Sequence, residues 1–122
     1  MDKLIEKIVG LGIPGLILLI VIEATGLAGA AALASGLAFL GGPLGMMGGI
    51  TVLALTAVIS AGIARWGFQT ILQGVVDGLV REGKTEHQIL GQIESFMASN
   101  EIKAVLKEHV RSEFERRRQQ AA

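Results

Sequence analysis

A chain of 122 residues has the length of one ordinary domain, and with 51% hydrophobic and 18% charged residues it is too apolar for disorder. Its formal net charge is zero and its aromatics are four Phe and one Trp, so neither phosphate attraction nor base stacking argues for a nucleic-acid partner. The absence of cysteine excludes disulfides, thiol catalysis and thiolate metal sites, and leaves the redox compartment undetermined.

The first element is "DKLIEKIV", a short amphipathic helix with Leu4, Ile5, Ile8 and Val9 on one side, within an N-terminal segment of residues 1–12. It ends in "GLGIPG". Pro14 suits the first turn of a new helix, where its missing N–H costs nothing, so the main apolar helix starts at Ile13. The run that follows has the size of a signal-peptide core, but "MDKLIEK" has equal numbers of acids and bases, and the segment is expected to be retained.

From Ile13 to Leu40 only glycines argue for a break, and lipid-embedded helices tolerate these. "GGPLGMMGG", residues 41–49, is expected to be a turn, having five glycines and a proline in nine residues. A second apolar helix follows from Ile50 to Arg65 and Trp66, an amphipathic pair suited to anchoring at the headgroup level. The helix need not stop there. Phe68, Ile71, Leu72, Val75, Val76 and Leu79 continue a helical stripe, Gln69, Gln73 and Asp77 share another face, and Gly83 is the expected end.

"TEHQ" restarts a helix, with Thr85 and Gln88 able to form a capping box and Ile89, Ile93, Phe96 and Met97 as its stripe. Asn100 is the expected cap of a last helix carrying Ile102, Val105, Leu106, Val110 and Phe114, ending in a frayed "RRRQQAA". Arg116, Arg117 and Arg118 read as a solvated chain end before they read as a contact to anionic lipid.

Charge is divided unevenly along these elements. Residues 8–64 contain one charged side chain, Glu23, whereas residues 65–122 hold nine of the eleven Lys/Arg and eight of the eleven acids. The uncharged run from Ala24 to Ala64, with a glycine-rich stretch near its middle, is what a two-helix membrane hairpin requires, since about 20 helical residues span a bilayer core. All eleven Lys/Arg lie outside it, so both termini are expected to face the cytoplasm. The expected fold class is therefore all-α: a transmembrane helical hairpin over residues 13–66, an amphipathic N-terminal helix before it and a charged, cytoplasmic helical tail over residues 67–122.

Small residues add a second expectation. Gly26, Ala30, Ala34 and Ala38 recur at a spacing of four with Gly29 beside them, and the second helix offers Ala54, Ala57, Ala61 and Ala64. Such faces permit close helix approach and gain little from lipid, so they are helix-packing surfaces and point to a homo-oligomer. Glu23 has two readings. Either the bilayer lies over 24–66 and Glu23 sits at the depth of Arg65, forming an ion pair at the headgroup level, or "LILLIVI" (16–22) meets lipid and Glu23 is an intramembrane carboxyl that lines a pore with Gln69, Gln73 or Asp77. In the first register the apolar face of residues 68–79 must cover "LILLIVI".

Catalytic chemistry is not indicated. Gly10, Gly12 and Gly15 match G-x-G-x-x-G in letters, but the preceding segment reads as a helix, not the strand a dinucleotide site needs. His87 and His109 have no third metal ligand in view, and Thr25, Ser35, Thr51, Thr56 and Ser60 have no base; in a membrane helix they bond back to the helix or to a neighbour. No enzyme activity, cofactor or metal is expected.

A glycine/alanine-rich hairpin followed by a charged helical tail resembles, over roughly residues 13–66, the plan of holins and of small membrane effectors of bacterial defence systems. The resemblance is architectural and carries no functional residue across. It implies permeabilisation of a bacterial inner membrane, with the lipid bilayer as partner and residues 67–118 receiving a regulatory or signalling protein. The alternatives are a membrane-anchored scaffold that presents its tail to another protein, and a soluble oligomer that hides its apolar hairpins.

Overall fold

The computed structural model describes residues 1–39, 43–96 and 98–121; within the helices, the side chains of 27, 31–39 and 43–53 lie outside the description. The described residues are all-helical. In chain order the helices are α1 (Asp2–Gly10), α2 (Ile13–Phe39), α3 (Pro43–Trp66), α4 (Phe68–Arg81), α5 (Glu86–Ser95) and α6 (Asn100–Ala121).

The core is built around the N-terminal part of α2. Leu16 through Ile22 are all buried, and the helix is apolar on every side, which in water requires partners on every side. α1, α3, α4, α5 and α6 all contact α2. The apolar stripe of α4 contributes Ile71, Leu72, Val75, Val76 and Leu79 to this core, α5 contributes Ile89 and Ile93, and α6 contributes Leu106 and Val110, with Phe96 closing it after α5. These helices and the end of α3 form a head from which the rest of the α2–α3 pair continues.

Two corners shape the head, and each turns on a glycine with positive φ. α1 and Ile13–Gly26 bend by 120° across Gly12 (φ 75°), where Gly12 N–H bonds to Val9 C=O at 2.8 Å. Gly15 completes this corner, since a Cβ there would lie 2.2 Å from the Ile8 carbonyl oxygen. "GLGIPG" is thus a helix-to-helix corner.

The second corner corrects the expectation that the helix runs on past Trp66. Gly67 (φ 87°) ends α3, and α4 departs at a bend of 117°. The apolar face of α4 still covers "LILLIVI", but it reaches it by folding back and not by extending an antiparallel hairpin.

Three further boundaries differ from expectation. Helix resumes at Pro43, so most of the expected turn 41–49 is helical, while residues 41 and 42 lie outside the described residues. Proline suits a first helical position, where its missing N–H costs nothing. The cap of α6 is Ser99, whose Oγ accepts from Ile102 N–H at 3.2 Å, one residue before the expected Asn100. The helix also continues through the arginines to Ala121, because those side chains find partners.

Two local signals are realised as expected. α4 ends with Gly83 N–H on Val80 C=O (2.9 Å) and Lys84 N–H on Leu79 C=O (3.0 Å), the paired bonds of a glycine-terminated helix. Thr85 Oγ1 accepts from Gln88 N–H at 3.1 Å while Gln88 Oε1 accepts from Thr85 N–H at 2.9 Å. Replacing Thr85 with alanine is expected to cost about 1 kcal/mol of unfolding free energy, measured by denaturant titration.

Candidate functional site

The feature that stands apart from the head is the α2–α3 pair beyond Glu23. Thr25 Oγ1 bonds back to Val21 C=O at 2.8 Å, and Gly26, with φ 76° and ψ −177°, then kinks α2. The kink falls where buried aliphatic residues give way to exposed ones: Glu23, Ala24, Thr25, Gly26 and Ala28 are all exposed. Gly29 is half-buried and Ala30 is fully buried. Ala34 and Ala38 lie outside the described side chains.

On α3 the inward positions are Thr56, Ile59 and Gly62. Ala54, Ala57, Ala61 and Ala64 are exposed, as is Val58 at 49%, so the outer face of the described end of α3 is apolar and uncovered. Arg65 and Trp66 end this face. The Arg65 guanidinium lies 5.0 Å from the Trp66 ring centroid, and Trp66 is half-buried where Gly62 lets it and Leu4 approach. Glu23 forms no salt bridge among the described residues, so the expected pairing with Arg65 is not made within one chain.

Close approach inside the head rests on glycines that sequence reasoning passed over. A Cβ at Gly74 would fall 2.4 Å from Ile5 Cδ1, one at Gly78 2.6 Å from Val9 Cγ2, and one at Gly62 2.4 Å from Leu4 Cδ2. The spacing G-x-x-x-G at 74–78 was the available signal, but its partner is the chain's own α1.

The polar stripe of α4 divides. Gln69 is exposed, Gln73 is half-buried, and Asp77 is half-buried with its Oδ1 accepting from Arg117 Nη1. The rest of the arginine cluster is also engaged. Arg118 bonds Glu115 at 2.9 Å and Glu86 at 3.0 Å, and these carboxylates, Glu115 first, raise its pKa above the ordinary arginine value. Lys107 pairs with Glu94, whose backbone carbonyl takes Lys103 Nζ at 2.9 Å.

Between α4 and α6 is a cavity of about 340 Å³ lined by Gln69 and Leu72 of α4 and by His109, Ser112, Glu113, Glu115, Arg116 and Gln119 of α6. His109 stands edge-on to Phe68, with centroids 5.2 Å apart and planes at 78°. His87 is exposed on α5. Among the described residues no group of three or more His, Cys, Asp or Glu is placed to hold a metal ion.

Among the described residues no single helix is long and apolar enough to cross a membrane. Two bent pairs, Asp2–Gly10 with Ile13–Gly26 and Ala54–Trp66 with Phe68–Arg81, reach that length and composition together. The most apolar part of the first pair is the centre of the head. Comparison with known proteins finds no matching family model, no matching curated protein and no matching solved structure.

Proposed function

We propose that the chain is a non-enzymatic membrane protein of the bacterial inner membrane, in which the α2–α3 hairpin beyond Glu23 enters the bilayer and the head stays on the cytoplasmic side with both termini. The observation that carries this is the division of apolar surface. The head covers "LILLIVI" completely, whereas the outward face of α3 from Ala54 to Ala64 is left uncovered and leads into an uncharged run. Exposed apolar surface of this kind asks for lipid or another helix. Of the two depths open to Glu23, this division favours the rim, beside Arg65 and Trp66.

A single uncharged hairpin gives ions no path. Permeabilisation therefore requires copies of the chain to assemble through the small-residue faces, with a ring of Glu23 carboxyls at the mouth. Asp77, held by Arg117 in the head, is not part of that mouth.

Release of a trapped dye from liposomes, with carbonate extraction of the membrane fraction, tests the reading. Release that depends on protein concentration is expected, and a chain that leaves the membrane pellet in carbonate would be a soluble oligomer instead. In conductance measurements Glu23→Gln is expected to reduce cation preference. Asp77→Asn is expected to leave selectivity unchanged and to cost about 1 kcal/mol of stability or less, because its ion pair is partly exposed. A sealed membrane with tail-dependent capture of a partner would instead favour an anchored scaffold, a reading consistent with a head tied together by ion pairs across α4, α5 and α6.

A further inference from the structure

The cavity between α4 and α6 has unused hydrogen-bonding capacity of both signs. Glu113 is 3% exposed, its Oε2 accepts from Arg116 Nε at 3.0 Å, and its Oε1 has no partner among the described residues. A carboxylate can accept about four hydrogen bonds, so most of its capacity is unfilled, and leaving a buried oxygen unpaired is costly. Glu113 forms part of the cavity wall, so its carboxyl is the acceptor that a ligand's N–H groups would meet there. Arg116 is committed only through Nε among the described residues, which leaves the four N–H groups of its terminal nitrogens to donate. Gln69 and Gln119 add amide donors around the cavity and His109 a ring nitrogen, while the carboxylate of Glu115, which also lines it, is held by Arg118.

A ligand that fits both ends must carry a cation with N–H groups for Glu113 and an anion with several oxygens for Arg116, a short distance apart. We propose that this cavity binds a phosphoethanolamine group, with the primary ammonium on Glu113 and the phosphate on Arg116. Position favours the lipid-borne form. Phe68 and Gln69 open α4 across the Gly67 corner from Arg65 and Trp66, so the cavity wall begins a few residues along the chain from those assigned to the headgroup level. In this respect the inference rests on the membrane reading given above. It ties a headgroup to α6, and so ties the head to the bilayer surface.

The test has a soluble arm and a vesicle arm, both with the full chain. In a maltoside detergent, phosphoethanolamine, ethanolamine, inorganic phosphate and glycine are titrated separately by calorimetry. Phosphoethanolamine is expected to bind more tightly than either half or than glycine. Glu113→Gln is expected to weaken it about tenfold or more, the scale of losing a hydrogen bond between charged groups, and Arg116→Gln similarly. Equal affinity for glycine, or unchanged affinity in both variants with native helix content, would overturn the assignment.

In flotation, vesicles of phosphatidylcholine are compared with vesicles in which part of it is replaced by phosphatidylethanolamine. The quaternary ammonium of choline has no N–H to donate. A gain with ethanolamine lipid that Glu113→Gln removes identifies the lipid source, and soluble binding without that gain identifies a free phosphoethanolamine compound. Failure to float on either vesicle overturns the membrane reading alone, since the calorimetric arm still decides the site.

Discussion

Replacing Ala57 with arginine is expected to lower partitioning of the chain into vesicles on the order of 100-fold. Ala57 precedes Trp66 by nine positions. At 1.5 Å per residue that is about 13 Å along α3, near the middle of a hydrocarbon core of roughly 30 Å when Trp66 marks the boundary. An arginine at the centre of a membrane helix costs about 2.5–3.5 kcal/mol. Because Ala57 is exposed, the new side chain meets no core residue, and the head should keep its denaturation midpoint. Flotation on liposomes with the fluorescence of Trp66, the one tryptophan, as a folding control measures both. Unchanged partitioning would remove the hairpin from the bilayer.

Leu19→Ala is expected to have the opposite profile. Leu19 is fully buried in the centre of the head, and deleting a core leucine to alanine costs about 2–5 kcal/mol. The full chain in mild detergent should therefore unfold at a markedly lower denaturant concentration, with little loss of vesicle partitioning where folding is retained. If "LILLIVI" faced lipid instead, truncation would leave the stability of α4–α6 near its original value and weaken partitioning. The pair of variants separates the two depths at which Glu23 could lie: a midplane position on α3 and a lipid-remote position on α2 should respond in different assays.

Much of the architecture was legible because it is written in local chemistry. The stripes of α1, α4, α5 and α6 follow helical periodicity, and their residues meet the core, apart from Met97, which lies outside the described residues. The Thr85/Gln88 capping box and the Gly83 stop depend on groups within a few residues of one another, so reading them needs no knowledge of the fold. Gly67 does not read as a stop from the sequence, since a glycine inside an apolar run is compatible with a continuing helix until packing demands the corner. The arginines read as a frayed end for a similar reason: their partners, Asp77 and Glu86, are distant in sequence and reach them only once α4, α5 and α6 are assembled.

The candidate sites divide in the same way. Glu23 could be singled out from the sequence as the one charge in residues 8–64, and the spacing of small residues could be counted. The α4–α6 cavity could not, because Gln69 and Glu113 lie on helices separated by α5.

The sequence by itself determined an all-helical chain, its apolar stripes, its charge division and the position of Glu23 at a change of side-chain size. These follow from short-range periodicity and composition. Only the tertiary structure decided that "LILLIVI" is the centre of a head, that α4 folds back across a positive-φ Gly67 to cover it, and that Gly74 and Gly78 serve α1. The physical reason is that an all-round apolar helix is equally content in lipid and in a protein core. The choice between them depends on whether the rest of the chain can surround it, and five helices do so.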